Sequence, residues 1–165
     1  MTEATTTAAA MTQPEWDTWR SFMAMRRALD VTLERELKQA SEISAPDFDV
    51  LISLFGAPGK QLRPGEIGQR LGWEKSRVSH QVSRMMARAL VEKQDCDGDA
   101  RGTWVGITPA GSRAVLGAMR SHSSSLRQNF FDLLTDDEVA MLRAISDRVL
   151  ERTNRSCEAA GDCTE

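Results

Sequence analysis

From Trp16 onward apolar residues recur at steps of three and four: Trp16, Trp19, Phe22, Met23, Leu29, Leu33, Leu37 and Ala40. That period predicts one long amphipathic helix. Thr12 and Glu15, at capping-box spacing around Pro14, set its start at about Gln13, and it ends near Ser41. At nearly 30 residues it outruns the core of a small domain, so part of its stripe needs another surface, most simply a partner subunit. Ser44 and Asp47 around Pro46 open a shorter helix with Phe48, Leu51, Ile52 and Phe55, closed by Gly56, Ala57, Pro58 and Gly59. A third opens at Pro64, turns Ile67 and Leu71 inward and stops at Gly72.

A fourth helix, over about 74–90, carries Val78, Val82, Met85 and Ala89 on one face and Ser76, Arg77, His80, Ser83, Arg84 and Ala87 on the other. After Leu90 the period changes. Residues 91–95 and Thr103–Ile107 read as two strands joined through the turn at Asp97–Asp99, a hairpin centred on 95–107. Thr108 and Pro109 then cap a helix running to about Leu134. Thr135 and Glu138 open a last one, with Val139, Leu142, Ile145 and Val149 as its stripe, ending near Arg152. Residues 1–11 and 153–165 are polar and read as a disordered and a mobile tail, leaving one domain over 12–152.

The fold class expected is mainly α with a small β-hairpin. A short helix, a tight turn and a second helix with a polar outer face have the layout of a helix-turn-helix, and the hairpin after it makes a wing. The winged reading head spans about 46–107. The helices over 13–41 and 108–152 have apolar faces that one small head cannot cover, which predicts a dimerisation layer.

The net charge of −3 over 165 residues changes this picture only when divided along the chain. From Lys60 to Arg120 there are eleven Lys and Arg against six Asp and Glu, and the flanks hold the other ten basic and eighteen acidic residues. Phosphate attraction is local, screened beyond about 8–10 Å at physiological salt, so the middle is the DNA-facing candidate. The residues expected to reach DNA are Lys75, Ser76, Arg77, Ser79, His80 and Arg84 on the fourth helix and Arg101 near the wing tip. Asp99 would repel phosphate and is expected to brace Arg101.

With these elements in place, the chain resembles the MarR family of bacterial transcriptional regulators over about Trp16 to Leu150. The most specific stretch is Asp99, Arg101, Val105, Ile107, Thr108 and Gly111, which looks like the family's D-x-R followed by a strand and L-T-x-x-G, with isoleucine for the usual leucine. Glu66, Ile67, Leu71 and Gly72 resemble its E-L-A-x-x-L-G, with Gly68 for alanine; Arg88, Ala89, Leu90 and Val91 resemble its R-G-L-V, with Ala89 for glycine. Gly68 should weaken its helix by up to about 1 kcal/mol relative to alanine. The resemblance implies a homodimer on a near-palindromic operator of double-stranded DNA, acting as a repressor and released by a small phenolic or anionic effector. Trp16, Trp19, Phe22, Met23 and Arg26, with Phe55, are the candidate lining of the effector pocket, and core or dimer contacts are the competing role for such a stripe.

Activation in place of repression, or a response to oxidation, would use the same fold. A winged helix serving protein docking is a further alternative, with little use for Arg77, Arg84 and Arg101 together. Cys96, Cys157 and Cys163 lack the spacing of a disulfide framework or a zinc site, and the first helix has no cysteine of the kind peroxide sensors of this family use. An enzyme would have to rest on His122 beside Ser123–Ser125, with no acid partner at a useful spacing and no glycine loop for phosphate, so no catalytic residue, metal ligand or cofactor is assigned. The absence of a signal peptide within 1–11 and of a long apolar run points to the cytoplasm, with no membrane partner.

Overall fold

The computed structural model describes the backbone of residues 10–95 and 103–160, with side chains throughout except at 95 and 154–160. The order is α1 (Gln13–Ala40), α2 (Ala45–Phe55), β1 (Gln61–Leu62), α3 (Pro64–Leu71), α4 (Lys75–Ala87), β2 (Val91–Asp95), β3 (Thr103–Ile107), α5 (Pro109–Asn129) and α6 (Asp136–Ala160). The chain divides into two compact units, to Ser123 and from Ser124, with α5 running through the division.

The helix starts lie where local chemistry sets them. The Glu15 carboxylate accepts from the Thr12 N–H at 2.6 Å and from its hydroxyl at 2.7 Å, and Glu138 does the same for Thr135 at 2.8 and 2.9 Å. Those bonds hold both carboxyls below their ordinary values. Gly72 ends α3 at φ +63°, a left-handed position that glycine adopts without a Cβ penalty. In the first unit Leu51, Leu54, Ile67, Val78, Val82, Met85, Val105 and Val115 are buried in one core. Of α1 only Leu37 is fully buried.

Four expectations need correction. The hairpin has a third strand: β1 pairs with β3 (Gln61 opposite Gly106, Leu62 opposite Val105), giving the antiparallel order β1-β3-β2. Two residues are too few to show a period of two. The fourth helix spans Lys75–Ala87, inside the expected 74–90, because Arg88, Ala89 and Leu90 form its closing turn. α5 ends at Asn129, before the expected Leu134: the Asn129 side chain bonds the Ser125 carbonyl at 2.9 Å, and a 3-10 turn follows over Phe131–Leu133. α6 continues to Ala160, so 153–160 is helix where a mobile tail was expected. After Arg152 no proline or glycine occurs until Gly161, and Glu158, Ala159 and Ala160 are good helix formers.

The close of α4 contains a strained residue. The Leu90 N–H reaches back to the Met85 carbonyl at 3.0 Å and the Ala89 N–H to Met86 at 2.9 Å, a Schellman ending whose left-handed residue is Ala89 at φ +54°. An alanine there carries a Cβ penalty that glycine would relieve. Ala89→Gly is expected to stabilise the fold by about 0.5–1 kcal/mol. A thermal melting midpoint that fails to rise would contradict it.

Gly68 has the opposite lesson. A Cβ there would sit 2.9 Å from the Trp73 carbonyl oxygen, closer than such atoms approach. The expected gain from alanine in α3 is therefore absent; glycine lets the turn into α4 fold back against α3.

The second unit contains the end of α5, the 3-10 turn and α6. Arg127 pairs with Asp132 at 3.1 Å, and the rings of Phe130 and Phe131 meet edge to face at 5.2 Å. Of the expected stripe of α6, Ile145 and Val149 are exposed and Val139 and Leu142 half-buried, and Met141 and Leu150 beside it are exposed as well. Among the described residues no helix is long and apolar enough to cross a membrane.

Candidate nucleic-acid interface

The short α3, the turn Gly72–Glu74 and α4 form a helix-turn-helix within the first unit. At 100° per residue, Val78, Val82 and Met85 share the inner face of α4 and are buried. Lys75, Ser76, Arg77, Ser79, His80 and Arg84 are all exposed; the same rotation puts Ser76, Arg77, His80 and Arg84 on the outer face and leaves Lys75 and Ser79 at its flank. Three of the six, Lys75, Arg77 and Arg84, are cationic. Ser83 turns its hydroxyl onto the Ser79 carbonyl at 2.9 Å.

What sets the rotation of α4 is a buried polar junction under it. Asp47, at 1% exposure, accepts from the Gln81 side chain through Oδ1 at 2.7 Å. Its Oδ2 accepts from the Ser44 N–H and hydroxyl, each at 2.8 Å, and from Arg88 at 2.6 Å. Arg88 also donates to the Glu42 carbonyl at 2.7 Å. Burial works against ionisation of Asp47, but the Ser44 N–H, the Arg88 guanidinium and the Ser44 hydroxyl outweigh it and hold the carboxyl below its ordinary value. One carboxylate thus ties the α1–α2 connection and the start of α2 to the middle and end of α4.

A second junction fixes the sheet to α4 and α5. The Thr108 hydroxyl donates to the Ala89 carbonyl at 2.7 Å and accepts from the Gly111 N–H at 3.0 Å, while the Thr108 N–H bonds Leu90 at 3.2 Å. The threonine and glycine of the wing motif therefore hold the wing's exit strand to the end of the helix it flanks.

Two arginines lie over tryptophan rings. The Arg77 guanidinium is 4.1 Å from the Trp73 ring centroid, and Arg63, before α3, is 5.2 Å from that of Trp104 on β3. Sequence reasoning did not single out Arg63, Trp73, Gln81 or Asp47's role beneath α4. A tryptophan four residues before an arginine is a usable signal for the first pair; the 41 positions that separate Arg63 from Trp104 leave none. Asp49 on α2 is half-buried, and burial raises its carboxyl pKa against the opposing pull of His122 and Arg77.

Arg101 and its expected brace Asp99 lie outside the described residues, as do Cys96, Cys163 and the side chain of Cys157. The first-helix residues proposed for a pocket are on the surface: Trp16, Trp19 and Phe22 are 46, 50 and 43% exposed, and the last two rings stack at 5.9 Å. Met23 is half-buried and Arg26 exposed, while Phe55 lies under Lys60 at the other end of α2. These residues line neither the cavity of about 370 Å³ beside Arg88 and Arg113 nor that of about 410 Å³ along Val31–Gln39. The His122 ring packs on Phe48 at 4.7 Å, and its buried Nδ1 has no hydrogen-bond partner among the described residues.

A family model described as the MarR family matches residues 41–102, from the close of α1 to beyond β2. A protein named as a repressor of Halobacterium phage phiH is 30% identical over 79 residues, covering 47% of this chain and 85% of its own. Among solved structures, AbsC, a MarR family transcriptional regulator from Streptomyces coelicolor, superposes with a TM-score of 0.83 at 26% identity, covering 89% of this chain and 99% of that one. Sco3205, a MarR family regulator of the same organism solved in complex with DNA, gives 0.83 at 28% identity over 87% of this chain and 90% of its own. The outward basic helix, the three-stranded wing and these likenesses agree: the chain belongs to the MarR family of winged helix-turn-helix transcriptional regulators.

Proposed function

We propose that this protein is a cytoplasmic homodimeric repressor that binds a near-palindromic DNA operator and is released by a small phenolic or anionic effector. The observation that carries the DNA reading is the exposed surface of α4, with Ser76, Arg77, His80 and Arg84 on its outer face and Lys75 and Ser79 at the flank, after a three-residue turn. A helix so presented fits a major groove, its first residues toward base edges. Sco3205 was solved with DNA, and the phage relative is named a repressor. Arg101 would enter the flanking minor groove, steadied by Asp99.

Dimerisation is supported by apolar surface left open in each unit. Trp16, Trp19 and Phe22 on α1, and Met141, Ile145 and Val149 on α6, are more exposed than a soluble monomer's contiguous stripes usually are. A two-fold dimer would bring two copies of α4 to half-sites about 10 bp apart. The effector would lie beside Trp16, Trp19, Phe22, Met23, Arg26 and Phe55, where a partner subunit encloses the open stripe. It acts only through a difference in affinity between DNA-competent and incompetent dimers.

Selection from random duplex DNA tests the reading, and it should return a palindrome. Lys75→Ala should then weaken binding to all sequences alike and lower the salt slope by about 1. Arg101→Ala should weaken operator binding strongly with the dimer intact by sedimentation. Recovery of no sequence preference would overturn the proposal.

A further inference from the structure

We infer that Trp73 is a positioning residue for base reading: it holds Arg77 so that its guanidinium reads one guanine in each half-site. The inference rests on the DNA-reading function above. Trp73 lies in the turn between α3 and α4, half-buried against the core. Its backbone is fixed from both sides by Gly68. The Trp73 N–H donates to the Gly68 carbonyl at 2.9 Å, and the Trp73 carbonyl approaches so closely that a Cβ at Gly68 would stand 2.9 Å from it. The departure from alanine at 68 is what admits this turn.

The indole so placed lies under Arg77, 4.1 Å from ring centroid to guanidinium carbon. An exposed arginine otherwise samples many rotamers, and ordering it on a base opposes binding. An aromatic ring takes up the guanidinium's face and leaves its N–H edge for acceptors in the groove. Arg77 is the third residue of α4, at the end that enters a major groove first. The acceptor pair that matches a two-pronged guanidinium there is O6 and N7 of guanine. Ser76, Ser79 and His80 beside it are shorter, Lys75 lacks the planar fork, and Arg84 lies two turns further along the helix, so Arg77 is the member of this set suited to that contact.

The test uses the full-length protein and the site that the wild type selects from random duplex DNA. Each guanine is replaced in turn by 7-deazaguanine, which removes N7 alone. The wild type is expected to lose about tenfold in affinity at one guanine per half-site. Arg77→Ala should show no loss there. Trp73→Leu, which keeps an apolar side chain in the core but has no aromatic face, should cut the discrimination to about twofold. Trp73→Phe should restore most of it, and Gly68→Ala should reduce it by displacing the turn.

Thermal melts of each variant separate folding from reading, and affinity for DNA lacking the site should be unchanged in Trp73→Leu. Discrimination in a folded Trp73→Leu equal to wild type would overturn the role of Trp73 while leaving DNA reading intact. A wild type that selects no site would overturn both.

Discussion

Replacing Gly111 by alanine is expected to destabilise the protein by about 3 kcal/mol or more, although it exchanges a poor helix former for the best. A Cβ at 111 would stand 2.1 Å from the Leu90 carbonyl oxygen, 2.9 Å from Ile107 Cγ1 and 3.1 Å from Leu51 Cδ2. The first of these is backbone in the turn that closes α4, and it cannot swing aside as a side-chain tip would. Relief requires the first turn of α5 to move about 1 Å away, given the roughly 3.2–3.5 Å that carbon and oxygen need. That shift pulls on the Thr108 hydroxyl's bond to Ala89 and the Thr108 N–H bond to Leu90, at 2.7 and 3.2 Å. Helix propensity returns no more than about 1 kcal/mol. Denaturant unfolding measures the difference. Gly65→Ala, whose Cβ would meet nothing within 4 Å, is the control expected to be neutral or stabilising. Equal stability of the two variants would show that the close approach at Gly111 is absent.

The second large effect is expected at Asp47. Asp47→Ala leaves the Gln81 amide buried without its acceptor, removes the carboxylate half of the capping box of α2 and strips Arg88 of its carboxylate. Breaking a buried pair costs about 3–5 kcal/mol when the partner stays buried. Arg88 is 42% exposed and turns to water, which places the expected loss nearer 3 kcal/mol. In a chain of this size that is a drop of roughly 6–12 °C in melting midpoint. The junction also sets the face α4 presents, so operator affinity should fall more than the affinity for unrelated DNA.

Asp47→Asn isolates the charge. The folded carboxyl titrates below its ordinary value, so near and below pH 4 the unfolded chain holds more protons at this residue. Its stabilisation is therefore complete above the ordinary carboxylate range and is lost as pH falls through the folded value. The stability difference between wild type and Asp47→Asn should shrink on acidification over that window. Asp49, raised by burial, contributes with the opposite sign in both proteins and cancels in the difference. A difference independent of pH would mean that Asp47 acts by shape alone.

Sequence by itself determined the parts of this protein that depend on neighbours within one turn of helix. Thr12 with Glu15, Ser44 with Asp47, Pro64 and Thr135 with Glu138 mark helix starts because a cap is satisfied three residues away. Gly72 marks a stop by its own φ, and the polar face of α4 follows from a fixed 100° per residue. Those signals were enough to place Ser76, Arg77, His80 and Arg84 on one outward face, and the family resemblance followed from that order of elements.

Only tertiary structure decided what depends on groups distant in the chain. β1 exists because Gln61 and Leu62 meet Gly106 and Val105, and no two-residue period could announce it. Asp47 reads locally as a cap, yet Gln81 and Arg88, 34 and 41 positions on, make it the support of the reading helix. Gly68 reads as a weak helix residue until the Trp73 carbonyl arrives against it, and Gly111 likewise until Leu90 does. Periodicity records which face a residue turns inward; it carries no record of how near the next backbone comes, and it is that distance which decides these positions.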